Sequence, residues 1–313
     1  MGRMQLRRRS GVLATPGVES LEGRRLMTAN FGGVHLREFP IGSAVELVVL
    51  GSPRADSIHV EDNGTGNPGN IKVTMGNGAS YTSKRAISQV VIQGRGGNDQ
   101  VQYDLTGDLV SPRVVLASLG QGADQFTANI WGNINTTSAL DLEAYGDGGN
   151  DTLTVNHTGA TLTGVFFPYL EGDGGNDVLS YHGTGNIGPD ANVGPGMSGG
   201  NGNDTITVDY TGVIQGKYQH NLTIDGGNGH DVLANTIHVL KGSSGVIGND
   251  ATTTSLVQGG TGNDVITYAV TVDPADTGLQ FFGLASGGRG IDTVHRTNNV
   301  QGDDTNENAA ILT

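Results

Sequence analysis

Eight short glycine-rich segments of this chain each end in an aspartate, and those aspartates are its best candidates for chemistry. Two further aspartates, Asp147 and Asp173, stand inside two of the segments. Carboxylate and main-chain carbonyl oxygens are the ligands that calcium prefers, and the ion takes about six to eight of them. We therefore predict that calcium is bound by Asp147, Asp173 and the terminal aspartates, which are Asp99, Asp124, Asp151, Asp177, Asp204, Asp231, Asp264 and Asp292.

The glycines of these segments can supply the carbonyl oxygens. Glycine reaches positive φ without steric cost, so successive carbonyls can point inward and neighbouring turns can approach closely. Asparagine also tolerates left-handed backbone, and we expect that conformation where it precedes the aspartate. No single turn offers a full set of ligands, so we expect each ion to lie between two stacked turns. The asparagines concerned are Asn98, Asn150, Asn176, Asn203 and Asn263.

The turns recur at a nearly constant interval. Consecutive terminal aspartates are 25 to 28 residues apart, except for 33 residues between Asp231 and Asp264, where we expect a surface bulge near 241–254. Apolar residues alternate after the turns, as in Leu153 and Val155, and period two predicts a strand with one buried face. We therefore predict an all-β fold, a parallel β-solenoid of the β-helix or β-roll type, with one coil per repeat.

The pattern divides the chain into four parts. Residues 94–297 form the calcium-binding solenoid repeats, and residues 298–313 a polar C-terminal tail. Residues 1–30 are a basic segment, either a sorting signal or a disordered arm. The 43 residues between Asp56 and Asp99 do not fit one coil, so residues 31–93 are assigned to an N-terminal β cap, in which Ala55 and Asp56 form a degenerate first turn.

Charge and composition restrict the partners. The net charge is −14, and beyond residue 40 ten basic residues face 28 acidic ones, which leaves −18 on the body of the chain. Such a body repels nucleic-acid phosphates and concentrates cations. The chain has no cysteine, so it can form neither a disulfide nor a thiolate metal site. No stretch approaches 18 apolar residues, and we expect no membrane-spanning segment.

The turns resemble the hemolysin-type (RTX) calcium-binding repeat, G-G-x-G-x-D-x-U-x, in which U is a large apolar residue. Residues 199–207 and 259–267 match this pattern at every position, whereas Arg95, Asp147 and Asp173 replace its second glycine. The resemblance implies calcium between the stacked turns of a β-roll. Tandem nonapeptides would give coils of about 18 residues with turns on both edges. The longer coil here predicts calcium along one edge only.

The N-terminal segment carries a second resemblance. Residues Leu21 to Ala29, LEGRRLMTA, are similar to a short L-E-x-R-x-L segment found near the start of many large cell-envelope and secreted proteins of one bacterial group. This resemblance implies a bacterial protein that is secreted or held at the cell surface. Cell-surface or extracellular matrix components would then be its macromolecular partners.

These observations favour a secreted or cell-surface structural and adhesion protein that binds calcium. Two alternatives remain open: a metal-free solenoid whose turns are held by asparagine and aspartate side chains, and a β-helix enzyme that acts on polysaccharide as a lyase or epimerase. Such an enzyme needs a cationic groove and a base. From Val114 onward 21 acidic residues face only four basic ones, so we expect no enzyme activity; the basic residues are Lys217, Lys241, Arg289 and Arg296.

The histidines show no zinc-binding pattern. They fall at different phases of the coil, so we expect them on the surface and do not expect them to share a metal ion. The ones within the solenoid repeats are His157, His182, His220, His230, His238 and His295.

Overall fold

The computed structural model describes residues 27–31, 33–218, 224–247, 255–275, 279–281 and 283–298. Most of the L-E-x-R-x-L segment lies outside these ranges, and so do His220 and the tail beyond Asn298. Within them the chain forms β-strands and turns, and it contains no helix that is long and apolar enough to cross a membrane.

Two sheets make up the fold. The first contains β1 (Met27–Phe31), β2 (Val34–Ile41), β3 (Ala44–Leu50), β7 (Gln89–Gln93), β9 (Arg113–Gln121), β11 (Ala139–Gly148), β13 (Val165–Glu171), β15 (Asn192–Val193), β16 (Gly196–Asn201), β18 (Lys217–Tyr218), β19 (Ile224–Asn228), β21 (Val246–Ile247), β22 (Ser255–Thr261), β24 (Gln280–Phe281) and β25 (Gly283–Arg289). The second contains β4 (Ser57–Asp62), β5 (Ile71–Met75), β6 (Ser80–Thr82), β8 (Gln100–Leu105), β10 (Gln125–Ile130), β12 (Thr152–Leu162), β14 (Val178–Ile187), β17 (Thr205–Gly212), β20 (Val232–Val239), β23 (Val265–Val272) and β26 (Thr293–Asn298).

Each coil contributes to both sheets in turn. β11 leads through the turn at Asp151 into β12, and the chain then returns to the first sheet as β13. β11 pairs in parallel with β9 and β13, while β12 pairs in parallel with β10 and β14. This arrangement confirms the predicted parallel β-solenoid and its repeat.

The core lies between the two sheets and follows the predicted alternation. Leu153 and Val155 of β12 are buried, as are Leu142 and Ala144 of β11 on the opposite side. On the edge away from the glycine-rich turns, one large aliphatic side chain per coil closes the core over five coils. These residues pair with one another from coil to coil, and they are Leu109, Ile134, Leu162, Ile187 and Ile214.

The N-terminal cap contains a full coil of its own. β3 pairs in parallel with β7, and β4 pairs in parallel with β8, so both continue the solenoid. The antiparallel strands β5 and β6 are inserted after β4, which explains the 43-residue interval before Asp99. Together with the antiparallel β1 and β2, they cover sheet edges that would otherwise present unpaired backbone groups.

A buried ion pair holds this cap to the first repeats. Nε of Arg113 lies 2.5 Å from Oδ2 of Asp62, and both side chains are fully buried. The hydroxyl of Tyr103 donates to the same carboxylate over 2.8 Å, and Nη2 of Arg113 donates to the carbonyl of Thr65 over 3.1 Å. A guanidinium carries five donors in a planar fork, so it can join a carboxylate to carbonyls from separate segments.

Candidate calcium site: the aspartate column

The eight terminal aspartates lie in one line along one edge of the solenoid. The backbone N–H of each of the first seven donates to Oδ1 of the aspartate in the next coil, with distances from 2.6 Å between Asp99 and Asp124 to 3.0 Å between Asp264 and Asp292. Asp56 begins the series by donating to Asp99 over 2.7 Å, as its predicted role in a first turn requires. We call these eight residues, Asp99, Asp124, Asp151, Asp177, Asp204, Asp231, Asp264 and Asp292, the aspartate column.

The long interval before Asp264 does not interrupt the column. The N–H of Asp231 still donates to Oδ1 of Asp264 over 2.9 Å. The longer interval therefore does not break the stack of turns, and residues 248–254 of the predicted bulge lie outside the described ranges.

A second ladder of side chains runs beside the column in the opposite direction. Oδ1 of Asn150 accepts the N–H of Asn176, and Oδ1 of Asn176 accepts the N–H of Asn203. His230 continues the series, because its Nδ1 accepts the N–H of Asn263 over 2.9 Å. Most turns are thus joined to their neighbours by an asparagine or histidine on one side and an aspartate on the other, whereas the turn that ends at Asp124 has Ala123 in place of the asparagine.

The prediction that these asparagines adopt left-handed backbone is wrong. The glycine before the asparagine takes the positive φ, as at Gly175 with 143°. The asparagine serves the stack through its side chain, which places no demand on its own φ. The turn residues other than glycine with positive φ are Arg95, Asp147 and Asp173, at the second position of the turn.

One oxygen of nearly every column carboxylate has no hydrogen-bond partner. Oδ2 is buried and unpartnered in seven consecutive members, Asp99 to Asp264. Burial raises the pKa of Asp151 to about 7 and that of Asp204 to about 6, against a smaller lowering by the backbone N–H that each accepts. Neighbouring carboxylates raise both pKa values further. A buried, unpaired carboxylate oxygen needs either a proton or a cation.

The unpartnered oxygen faces a main-chain carbonyl across a glycine. A Cβ added to Gly199 would collide with Oδ2 of Asp204 and with the carbonyl oxygen of Gly226 in the next coil. The glycines that begin the turns at 172, 226 and 259 have the two equivalent neighbours, which are Oδ2 of the aspartate in their own turn and the carbonyl oxygen of the corresponding glycine in the next coil. A carboxylate oxygen and a carbonyl oxygen therefore converge on each of these glycines, and both are calcium ligands by type.

The oxygen donors of the column fit calcium, although they form no carboxylate cage. Among the residues that the structure describes, no three aspartate, glutamate or histidine side chains converge as they would in such a cage. The column supplies one carboxylate oxygen per coil and carbonyls from the next coil. Calcium held here would be shared between coils, as the sequence predicts, with main-chain carbonyls among its ligands.

Asp147 and Asp173 lie beside the column and not within it. They occupy equivalent positions in neighbouring coils, both with φ of 67°, and Oδ2 of Asp147 accepts the hydroxyl of Ser118 over 2.5 Å. Burial raises the pKa of Asp173 to about 6, with further contributions from Glu171 and Asp147. These two aspartates thus add negative charge next to the column turns at Asp151 and Asp177.

The histidine prediction is wrong at one position. His157 is fully buried, on the same face of β12 as Leu153 and Val155, and its ring lies 6.4 Å from that of Phe166. The period-two alternation that buries Leu153 and Val155 continues to His157, so the sequence pattern could have predicted that this side chain is buried. His182 and His238 are exposed on the opposite face of the second sheet.

Two depressions of the described surface differ from the cationic groove of a polysaccharide lyase. A depression of about 410 Å³ lies beside the first turn, and its lining includes Asp56 and Asn98 but no lysine, arginine or histidine. A second depression, of about 240 Å³, contains Lys72 paired with Glu61 over 2.5 Å. Neither combines a free cation with a base.

Comparison of the chain with protein-family models, with curated proteins and with solved structures finds no match. The chemistry of the aspartate column is therefore the basis for assigning a function to this chain.

Proposed function

We propose that the chain is a calcium-binding, secreted or cell-surface structural and adhesion protein in which calcium ions link successive coils along the aspartate column. The observation that carries this proposal is the series of seven buried Oδ2 atoms without hydrogen-bond partners. A single orphaned oxygen could be a local irregularity. The same orphan in consecutive coils, opposite a carbonyl wherever a glycine begins the turn, is a property of the repeat.

Electrostatics supports a bound cation. Coils stack about 4.8 Å apart, and two carboxylates at that separation repel each other by roughly 3 kcal/mol at an effective dielectric of about 20. Calcium would offset this repulsion with two positive charges per ion and accept the orphaned oxygens as ligands. Calcium binding and coil stacking would then stabilise each other, because the column exists only in the folded chain.

The proposed location follows from the N-terminal resemblance and from calcium supply. Extracellular modules commonly bind calcium with dissociation constants of about 0.1 to 1 mM, which suits an environment rich in the ion. A body with a net charge of −18 would remain soluble there. The elongated solenoid offers long flat surfaces to cell-surface or matrix components.

A metal-free structural solenoid is the second candidate, and the two ladders favour it. Oδ1 of every column aspartate already satisfies a backbone N–H, and the asparagine ladder satisfies another in most coils. Protonation of the aspartates with raised pKa values would neutralise the buried carboxylates at Oδ2 without any metal. The fold would then be complete in the absence of calcium.

Thermal unfolding of the full chain, followed by circular dichroism, distinguishes the two candidates. We expect calcium at pH 7.5 to raise the melting temperature by more than about 10 °C relative to EGTA, which corresponds to several kcal/mol. Magnesium at the same concentration is the control, because it demands a smaller octahedral site. Isothermal titration should give several calcium ions per chain. Identical melting curves in calcium and EGTA would exclude stabilisation by calcium and would support the metal-free solenoid.

A further inference from the structure

The outer surface of the second sheet carries almost no charge over β12, β14, β17, β20 and β23, although the chain as a whole is strongly acidic. We call the outward-facing positions of β12, β14, β17, β20 and β23 the hydroxyl face. Side chains pair from coil to coil there in four rows, which are Thr152, Val178, Thr205, Val232 and Val265; Thr154, Ser180, Thr207, Ala234 and Thr267; Asn156, His182, Asp209, Thr236 and Ala269; and Thr158, Thr184, Thr211, His238 and Thr271.

The composition of the hydroxyl face differs from that of the opposite surface. Eleven of its twenty positions are threonine or serine, and none is lysine, arginine, glutamate, tyrosine, phenylalanine or tryptophan. Its one carboxylate, Asp209, pairs across strands with His182. The outer surface of the first sheet instead carries carboxylates in neighbouring coils, including Glu143 and Glu171.

Three valines of the hydroxyl face are exposed to solvent and, among the residues that the structure describes, have no packing partner of the kind that the core valines have. Val178, Val232 and Val265 show 41%, 47% and 41% of their surface to solvent. They stand in one row with Thr152 and Thr205, so the row consists of β-branched side chains only. Such a row packs well against another β-sheet, because branched side chains interdigitate on a pleated surface.

The size of the face is sufficient for a dimer interface. Five strands about 4.8 Å apart, each contributing seven residues at about 3.3 Å, cover roughly 25 by 20 Å. Two copies packed face to face would bury about 1,000 to 1,200 Å² in total, which is near the lower limit of specific interfaces. Elsewhere the surface is acidic, so charge repulsion would oppose contact between two copies through those other surfaces.

We propose that the hydroxyl face is the docking surface for a second copy of this chain, forming a symmetric dimer by sheet-on-sheet packing. The face lacks the charge that opposes association elsewhere on the molecule. Its methyl groups would be buried, and threonine hydroxyls would hydrogen-bond across the interface. This inference goes beyond calcium binding and does not depend on it, since the face lies on the strands and not at the turns.

Sedimentation velocity of the full chain, in calcium and again in EGTA wherever the chain is folded, tests the proposal. We expect a monomer–dimer equilibrium with a dissociation constant on the order of micromolar, as suits a small interface. Thr207→Lys, at the centre of the face, should weaken the dimer at least about tenfold. Val232→Lys should do the same and cannot disturb the core, because Val232 is 47% exposed.

Ser198→Lys on the outer surface of the first sheet is the matched control, since Ser198 is about as exposed as Thr207. It should leave the dimer unchanged. Circular dichroism must show that each variant is folded. A monomer at all concentrations overturns the proposal, as does a dimer that persists in both face variants. The proposal is also overturned if the chain is a monomer that binds insoluble cellulose and loses this binding in Thr207→Lys. In that case the hydroxyl face would be a binding surface for a polymer.

Discussion

The backbone N–H of Asp177 donates a hydrogen bond of 2.8 Å to Oδ1 of Asp204, its counterpart one coil later. The two oxygens of Asp204 therefore have different tasks. Oδ1 links two coils whether or not a metal is bound, whereas Oδ2 is buried without a partner. Substitutions can separate these tasks, because asparagine keeps the acceptor and removes the charge, and alanine removes both.

Asp204→Asn should stabilise the chain in EGTA by about 1 to 2 kcal/mol and reduce its stabilisation by calcium. The asparagine oxygen can still accept the N–H of Asp177, and its amide can donate toward the carbonyl of Gly226, where two oxygens now face each other. The loss of a buried charge removes repulsion from Asp177. Thermal unfolding in EGTA and in calcium measures both effects.

Asp204→Ala should destabilise the chain by about 1 to 3 kcal/mol in EGTA, because the buried N–H of Asp177 loses its acceptor. Asp190→Asn, an exposed position outside the column, is the control and should change neither melting temperature. A calcium response of undiminished size in Asp204→Asn would argue against Oδ2 as a ligand.

Stability in EGTA should fall as the pH rises from 5 to 8. Burial raises the pKa of Asp151 to about 7, and the pKa values of Asp99 and Asp177 to about 6, above the ordinary value of about 3.9. Between these values the folded chain binds more protons than the unfolded chain, so protons stabilise the fold. This stability is present below about pH 4 and is lost as the pH passes 6 to 7.

The measurement is the melting temperature at pH 5 and pH 8, with and without calcium. We expect a decrease of at least about 5 °C in EGTA over this range, equivalent to about 1 to 2 kcal/mol. In calcium the dependence should weaken or reverse, since the ion replaces protons and binds more tightly at higher pH. A melting temperature in EGTA that rises toward pH 8 would contradict the raised pKa values.

The sequence predicts the stack and the column but not the asymmetry of each carboxylate. Regularly spaced glycine turns, with alternating apolar residues such as Leu153 and Val155 between them, predict a solenoid. Nearly equal spacing then places the aspartates on one edge. Which oxygen of Asp204 is satisfied depends on the distance between coils and the tilt of the turn. A pattern of residue types carries neither quantity.

Sequence reasoning also missed Arg113 and Asp62, for a different reason. They are 51 residues apart, and neither belongs to the recurring glycine-rich turn. Each would ordinarily be assigned to the surface, because charged residues are rarely buried without a partner. Only the meeting of β4 with the start of β9 shows that they are paired.

Gly175→Ala should destabilise the chain by at least about 2 kcal/mol, whereas Gly174→Ala should be tolerated. Gly175 has φ of 143°, and a Cβ there would collide with the carbonyl of Gly149 in the preceding coil. At Gly174 the nearest atom, the carbonyl oxygen of Asp147, would be 3.7 Å from a Cβ, an ordinary contact. Comparable losses in the two variants, measured by thermal unfolding, would show that coil approach does not limit this turn.

Arg113→Met should destabilise the N-terminal coil by about 3 to 5 kcal/mol, because it leaves the carboxylate of Asp62 buried without its cation. The double variant Arg113→Met with Asp62→Asn should recover part of this loss, since the neutral amide can still accept the hydroxyl of Tyr103. Hydrogen exchange locates the effect: faster exchange should be confined to β3 to β9, while the coils around Asp204 keep their protection. Equal loss of protection along the whole solenoid would mean that the ion pair controls global folding and does not merely attach the cap.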